Sequence, residues 1–450
     1  MSGRPLTRGL ALTLAVIVAG GAPVTAALGA LGAQPAPVSP VATPVTTPVT
    51  TPVATPVATP VATLAEDAPP RYQISVLTFG PGNAIFERFG HNALRVRDFL
   101  TGADLAYNWG MFSFEEPRFL ARFLSGETRY WVEAFPTSWL LQVYAAQDRE
   151  SIEQVLALAP AEAEMLARMV AENATPARRY YRYDYFRDNC STRVRDAIDA
   201  VLGGALARRF QPITTEWTYR SEAVRLATPD RWSQAGIDVA LGPRADRPMT
   251  AWEAMYVPMR LRDFLREVRR PDATGTAVPL VRLERTLYTA RRAPEASTAQ
   301  GLALGPMGPL AAVWFLLLVP VSVAARQRRR GVAAVAVGLW CTVTGLVGLI
   351  LLAMWLGSAH VFWYRNLTLL LASPVALVLA WPAARGVWRG EAGRWVRWGT
   401  VALAGQTALA LALAPLVTQR LAGPLMLFAA ANLAMALVVW RHAVAPPARP

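Results

Sequence analysis

Hydrophobic and polar positions change period several times along the chain, and each change predicts an element. Residues 72–78 alternate and are rich in β-formers (Tyr72, Ile74, Val76), which predicts a strand. Phe79-Gly80-Pro81-Gly82-Asn83 predicts a turn, 84–89 one helical turn closed by Gly90, and 91–96 a second strand. Thr101-Gly102-Ala103-Asp104 predicts a hairpin turn into a strand over 105–109, and 129–134 another strand. Helices are expected over 138–149 and 160–173, the latter with Ala161, Met165, Leu166 and Met169 on one side. The stretch 112–123 is rich in aromatics, and 178–186 sets four tyrosines among arginines. From Cys190 on, Val194, Ile198, Val201 and Leu202 recur at helical spacing, with Gly203-Gly204 as the stop. Between 211 and 292 the pattern assigns no element. Five apolar runs follow, over 306–325, 331–357, 367–384, 398–417 and 421–440, each near the length of about 20 residues that crosses a bilayer as helix.

These patterns divide the chain. Residues 1–33 carry Arg4 and Arg8, an apolar run and small residues, the make-up of an export signal that is either cleaved or kept as an anchor. Residues 34–70 repeat Thr-Pro-Val-Ala and Thr-Pro-Val-Thr, which suits an extended tether and no packed domain. Residues 71–295 suffice for one α+β domain with its own core, and 306–440 for a five-helix transmembrane bundle. The net charge of +14 changes little, because it is unevenly placed. All 45 basic residues are arginine, and 30 of the 31 acidic residues lie between Glu66 and Glu295 with 31 of those arginines. The soluble part is therefore near neutral, and nucleic acid is excluded as a partner. The excess sits beside the apolar runs: Arg326, Arg328, Arg329 and Arg330 after the first, Arg385, Arg389, Arg394 and Arg397 after the third, Arg441 and Arg449 after the fifth. The positive-inside rule then places residues 71–295 outside the membrane and the tail 441–450 in the cytoplasm, with Arg365 and Arg420 as minor exceptions.

Candidate chemistry is sparse. The chain has two cysteines and three histidines, and residues 71–295 hold one of each, Cys190 and His91. Cys190 opens a helix that Asp188, Asn189 or Ser191 could cap, and unpaired amides with the helix dipole there favour thiolate. A buried structural cysteine is the alternative. A thiol at a polar helix start, without a second exported cysteine to pair with, weakens that alternative and leaves a nucleophile with His91 as its base open beside it. One histidine and one cysteine fall short of a metal site, and no cofactor is implied. Cys341, inside an apolar run, reads as packing.

The residues resemble a known family. Ile74-Ser75-Val76-Leu77-Thr78-Phe79-Gly80-Pro81-Gly82, Arg88-Phe89-Gly90-His91-Asn92-Ala93-Leu94-Arg95-Val96, Tyr107-Asn108-Trp109-Gly110 and Tyr183-Asp184-Tyr185-Phe186-Arg187-Asp188-Asn189-Cys190-Ser191-Thr192-Arg193 are similar to the periplasmic domain of the Lnb family, a bacterial family of lipoprotein N-acyl transferases and uncharacterised relatives. The order of histidine, hairpin and Asn-Cys also resembles permuted papain-like thiol acyltransferases. That likeness implies Cys190 as nucleophile, His91 as base and Asn108 as its orienter, with amides near Cys190 and Ser191 for the oxyanion. Arg88, Asn189 and Ser191 become candidates for contacting substrate. In the apolar region His360 followed by Asn366-Leu367-Thr368-Leu369-Leu370 and Pro374 is similar to a family run with asparagine in place of Thr368, so His360 and Asn366 either join them or anchor the helix at the interface. The implied substrate is a membrane lipid or a lipoprotein. The other readings are a cysteine amidase or peptidase of the cell wall, and a non-enzymatic envelope sensor or assembly factor.

Overall fold

Alternation becomes sheet. The computed structural model describes residues 70–272, 274–295 and 330–443. The expected strands are β1 (Tyr72–Phe79), β2 (His91–Asp98), β3 (Asp104–Met111) and β4 (Arg129–Pro136). With β5 (Ser151–Leu156), β6 (Tyr180–Arg182) and β7 (Val281–Tyr288) they form one antiparallel sheet in the order β7-β5-β1-β2-β3-β4-β6. Register follows the pleat: Val76 lies opposite Leu94 and Phe79 opposite His91, and β2 meets β3 with Leu94 opposite Tyr107.

Helices cover both faces. The helices of seven residues or more in this domain are α1 (Phe119–Ser125), α2 (Thr137–Ala146), α3 (Pro160–Asn173), α4 (Cys190–Val201), α5 (Tyr219–Leu226), α6 (Arg231–Ala240) and α7 (Pro258–Glu267), of which α2, α3, α4 and α7 pack on the sheet. On one face Ile74, Val76 and Leu94 share a core with Leu166 of α3, Val194 and Ile198 of α4, and Leu261 and Leu265 of α7. On the other, Leu77 and Phe79 pack with Leu140 and Tyr144 of α2. Each such apolar side chain contributes about 1.5–3 kcal/mol of burial, so the central strands are the rigid part of the domain. Two departures from the expected elements have local causes. Helix α2 stops at Ala146 because Asp148 takes a left-handed conformation (φ 52°) that turns the chain into β5. The described residues of the region 211–292 form α5 to α7, β7, two short ribbons and a short helix at Ala251–Ala254. Its period was hidden because its buried positions include Arg220, Glu222, Arg225 and Asp238.

The C-terminal part is helical: α8 (Arg330–Gly357), α9 (Val375–Arg389), α10 (Arg394–Leu413) and α11 (Ala422–Ala443). Among the described residues three segments are long and apolar enough to cross a membrane, Arg330–Gly357, Leu367–Arg389 and Ala422–His442. The run expected as the fourth span, 398–417, overlaps helix α10, which is not among those three segments. Its first turn carries Arg394 and Arg397, and Gln406 and Thr407 sit in its interior, which leaves it less apolar than the other three. Helices α8 and α9 approach closely at glycine, for a Cβ on Gly345 would lie 2.5 Å from the Leu377 amide nitrogen. Asn432 ties the bundle together: its Oδ1 accepts from Trp340 Nε1 at 2.9 Å and its Nδ2 donates to Leu371 O at 2.8 Å. Cys341 is buried among these helices, as packing requires. The export segment, the tether, the span at 306–325 and its first three arginines lie outside the described residues.

Candidate active site

Helix α4 begins at the thiol. Asn189 is its N-cap: Asn189 Oδ1 accepts from the Thr192 amide at 2.9 Å, and Thr192 Oγ1 accepts from the Asn189 amide at 2.8 Å. Asn189 Nδ2 donates to Tyr185 O and Tyr256 O at 3.0 and 2.9 Å, and Ser191 Oγ to Met255 O at 2.6 Å. Both side chains, proposed from sequence for substrate, are thus engaged in fixing the start of α4. Gly110 takes φ +93°, a conformation that favours glycine, and passes beside the thiol: a Cβ there would be in ordinary contact, 3.8 Å from Cys190 Cβ and 3.6 Å from the Tyr183 ring. Cys190 is 6% exposed.

His91 opens β2 and Asn108 sits near the end of β3, so neighbouring strands bring them together. His91 Nε2 and Asn108 Oδ1 are hydrogen bonded. Asn108 Nδ2 points to Met111 Sδ at 3.4 Å, which leaves Oδ1 to accept from the ring. Nε2 therefore carries the proton and Nδ1 the lone pair that a base needs. The ring lies parallel to Tyr144, with centroids 6.0 Å apart. Among the described residues no hydrogen bond joins His91 to Cys190.

The electrostatics correct one expectation. Burial pushes the Cys190 thiol above its ordinary value, and the amides of Asn92 and Ser191 with the Arg149 cation offset this only in part. Burial likewise lowers His91 to about 4, against the opposing hydrogen bond from Asn108 and with help from Arg149. The resting pair is neutral thiol and neutral imidazole, so desolvation outweighs the helix dipole.

The membrane helices reach this site through the loop between α8 and α9. His360 Nε2 donates to Phe123 O at 2.7 Å and its ring lies along Tyr185, with centroids 5.8 Å apart. Phe362 inserts among Phe186 and Tyr219, 4.7 and 4.8 Å away. Asn366 is 1% exposed; its Nδ2 donates to Val239 O and Ala240 O at 2.8 and 3.0 Å, and its Oδ1 accepts from Gln419 at 2.7 Å. His360 and Asn366 join the helical part to the sheet domain. Arg88 reaches Ala227 O at 3.0 Å through Nη1.

Two family models match this chain. The Lnb N-terminal periplasmic domain matches residues 59–221, and the Lnb transmembrane domain matches residues 299–443. The chain belongs to the Lnb family. This Lnb protein is a membrane protein whose soluble domain is periplasmic. No curated protein and no solved structure matches it.

The Lnb site contains a group that sequence reasoning missed. Arg149 is buried at 4% exposure, its Nε donates to Gly80 O at 2.9 Å, and its guanidinium lies 4.6 Å over the Tyr144 ring. Among the described residues its Nη2 has no hydrogen-bond partner. In a chain whose every basic residue is arginine, nothing in the local sequence distinguishes it. Its charge lowers the thiol, so Arg149→Gln is expected to move the pH dependence of Cys190 alkylation upward, while Arg149→Lys moves it less. Labelling by iodoacetamide across pH, read at the Cys190 peptide by mass spectrometry, checks this.

Proposed function

We propose that this Lnb protein is a thiol acyltransferase working at the periplasmic face of the inner membrane, with the C-terminus cytoplasmic. Its substrate is an acyl ester of a lipoprotein or membrane lipid. The observation that carries the reading is Cys190 at the capped start of α4, next to a strand pair whose His91 is held by Asn108 with Nδ1 left basic. The order of histidine, orienting amide and helix-opening cysteine supports a permuted papain-like arrangement.

Chemistry follows from the neutral resting pair. As Cys190 Sγ attacks the ester carbonyl carbon, its proton passes to His91 Nδ1, so charge separates only when the bond forms. The tetrahedral oxyanion meets the amides that open α4, and the Arg149 cation stands near it. Collapse breaks the ester C–O bond, His91 returns the proton to the departing alkoxide, and the acyl group remains as a thioester. An acceptor amine then attacks the thioester, His91 takes the amine proton, and an amide and free thiol result. Within a lipoprotein whose N-terminal cysteine carries two ester-linked chains, this gives an N-acylated lyso product.

The test is mass spectrometry of lipoprotein N-termini from cells with the wild-type protein, with Cys190→Ala and without the gene. The same altered acylation pattern in mutant and deletion is expected. An identical pattern in all three would remove lipoproteins as substrate.

A further inference from the structure

Residues around the mouth of the site form an apolar surface with no role so far. We propose that Phe86, Phe112, Phe114, Phe119, Phe123 and Leu124 bind the hydrocarbon chain of a membrane lipid ester and lead its carbonyl from the bilayer to Cys190. This inference rests on the acyl-transfer reading and adds to it where the chain lies.

Position comes first. Phe86 sits in the β1–β2 connection, five residues before His91, and Phe112 and Phe114 directly follow β3, which carries Asn108. All three therefore stand at the end of the sheet where the thiol is. They meet one another: Phe86 and Phe112 at 5.6 Å between centroids, Phe112 and Phe114 at 5.0 Å. Phe114 passes the contact to Phe119 of α1 at 4.9 Å, and Phe119 to Phe123 at 6.0 Å. Inward, Phe112 stacks on Tyr130 at 4.9 Å and Tyr130 on Tyr183 at 4.4 Å, the ring beside Gly110 and the thiol.

Exposure shows that this surface is not closed core. Phe86 is 45% exposed, Phe114 49% and Leu124 40%. Large apolar side chains gathered at a site mouth mark a place where something apolar binds. Continuity with the membrane part says what that is. The last residue of α1, Ser125, accepts at its carbonyl from the Ala359 amide at 2.8 Å, and Ala359 follows the end of α8. There Trp355 and Leu356 are 37% and 75% exposed. The apolar surface thus runs from the end of a membrane-crossing segment to the site, and a lipid chain drawn from the bilayer stays on apolar ground along it.

The experiment uses the full-length protein in vesicles of ether-linked phospholipid, so that an added p-nitrophenyl ester is the only acyl donor. The rate of acyl-Cys190 formation is measured with the palmitate and the butyrate, by p-nitrophenol release and mass spectrometry. The wild type is expected to prefer palmitate. Phe86→Ser with Phe114→Ser, both at exposed positions, is expected to lower the palmitate-to-butyrate ratio by roughly tenfold or more. Leu283→Ser, at an exposed leucine on edge strand β7, is expected to leave the ratio unchanged. A wild type that acylates Cys190 while the double variant keeps its ratio would overturn the aromatic surface as the chain site. No acylation by either ester would instead overturn the acyl-transfer reading itself.

Discussion

His91→Ala is expected to slow formation of acyl-Cys190 by about 10²–10⁴-fold, the usual contribution of a positioned general base. The size of the effect follows from the neutral resting pair. A preformed thiolate would need the histidine only as a counter-ion, whereas a buried thiol above its ordinary value cannot lose its proton without a partner. The pH profile separates these roles. Because burial holds His91 down to about 4, its basic form persists through mildly acid conditions, and the wild-type rate should fall only as pH drops through that value. An acid limb near the ordinary value for histidine would mean that the ring is solvated as the reaction proceeds. Stability responds with the same sign. An unfolded chain takes up a proton at His91 below about 6.5, the native chain only near 4, so stability contributed above that window is lost as pH falls through it, by about 3 kcal/mol. His91→Ala should flatten that part of the curve of thermal midpoint against pH. Asn108→Ala, which frees the ring without removing it, should retain more rate than His91→Ala and show a blurred acid limb.

Much of this site was legible because local rules and the global fold agree there. The alternation of β1 to β3, the glycine after Phe89 and the helical period after Cys190 all place polar chemistry at one end of a sheet. Legibility ended where charge enters the core. Strand β5 was hidden because Glu153 and Gln154 occupy buried central positions, with Glu153 paired to Arg95 at 2.8 Å and to Arg285 at 2.7 Å. A window that counts apolar residues cannot tell such a strand from a loop. His360 and Asn366 show a different limit. Polar residues at a membrane edge read as contacts for a lipid headgroup. In the fold they hydrogen bond to Phe123 O and Val239 O, which lie more than a hundred residues away in the chain. The aromatic run over 112–123 was visible as composition, but its relation to the thiol depends on Gly110 and on the Tyr130–Tyr183 stack, which only the folded sheet supplies.

Arg220→Leu is expected to destabilise the protein by about 3–5 kcal/mol, the cost of leaving buried charge without its partner. The Arg220 side chain is 1% exposed and lies between two nearly buried carboxylates, 2.9 Å from Asp238 and 2.7 Å from Asp246. Its Nη2 also donates to Leu241 O at 2.6 Å. Those contacts hold the segment that receives the membrane loop, for the Gly242 amide donates to Phe362 O at 2.7 Å and Gln419 Nε2 reaches Leu241 O at 3.3 Å. Losing Arg220 should therefore do two things at once: lower the thermal midpoint of the detergent-solubilised protein, and expose the 358–366 loop to protease before the sheet domain unfolds. The remedy tests the cause. Adding Asp238→Asn and Asp246→Asn to Arg220→Leu removes the orphaned charges and should recover much of the midpoint, as apolar or neutral replacement of a whole buried ion cluster often does. If the triple variant is as unstable as the single one, the guanidinium matters for its hydrogen bonds to the 241–242 backbone and not for charge balance. Recovery of the midpoint without recovery of loop protection would place that same backbone bond at the coupling between the membrane helices and the sheet domain.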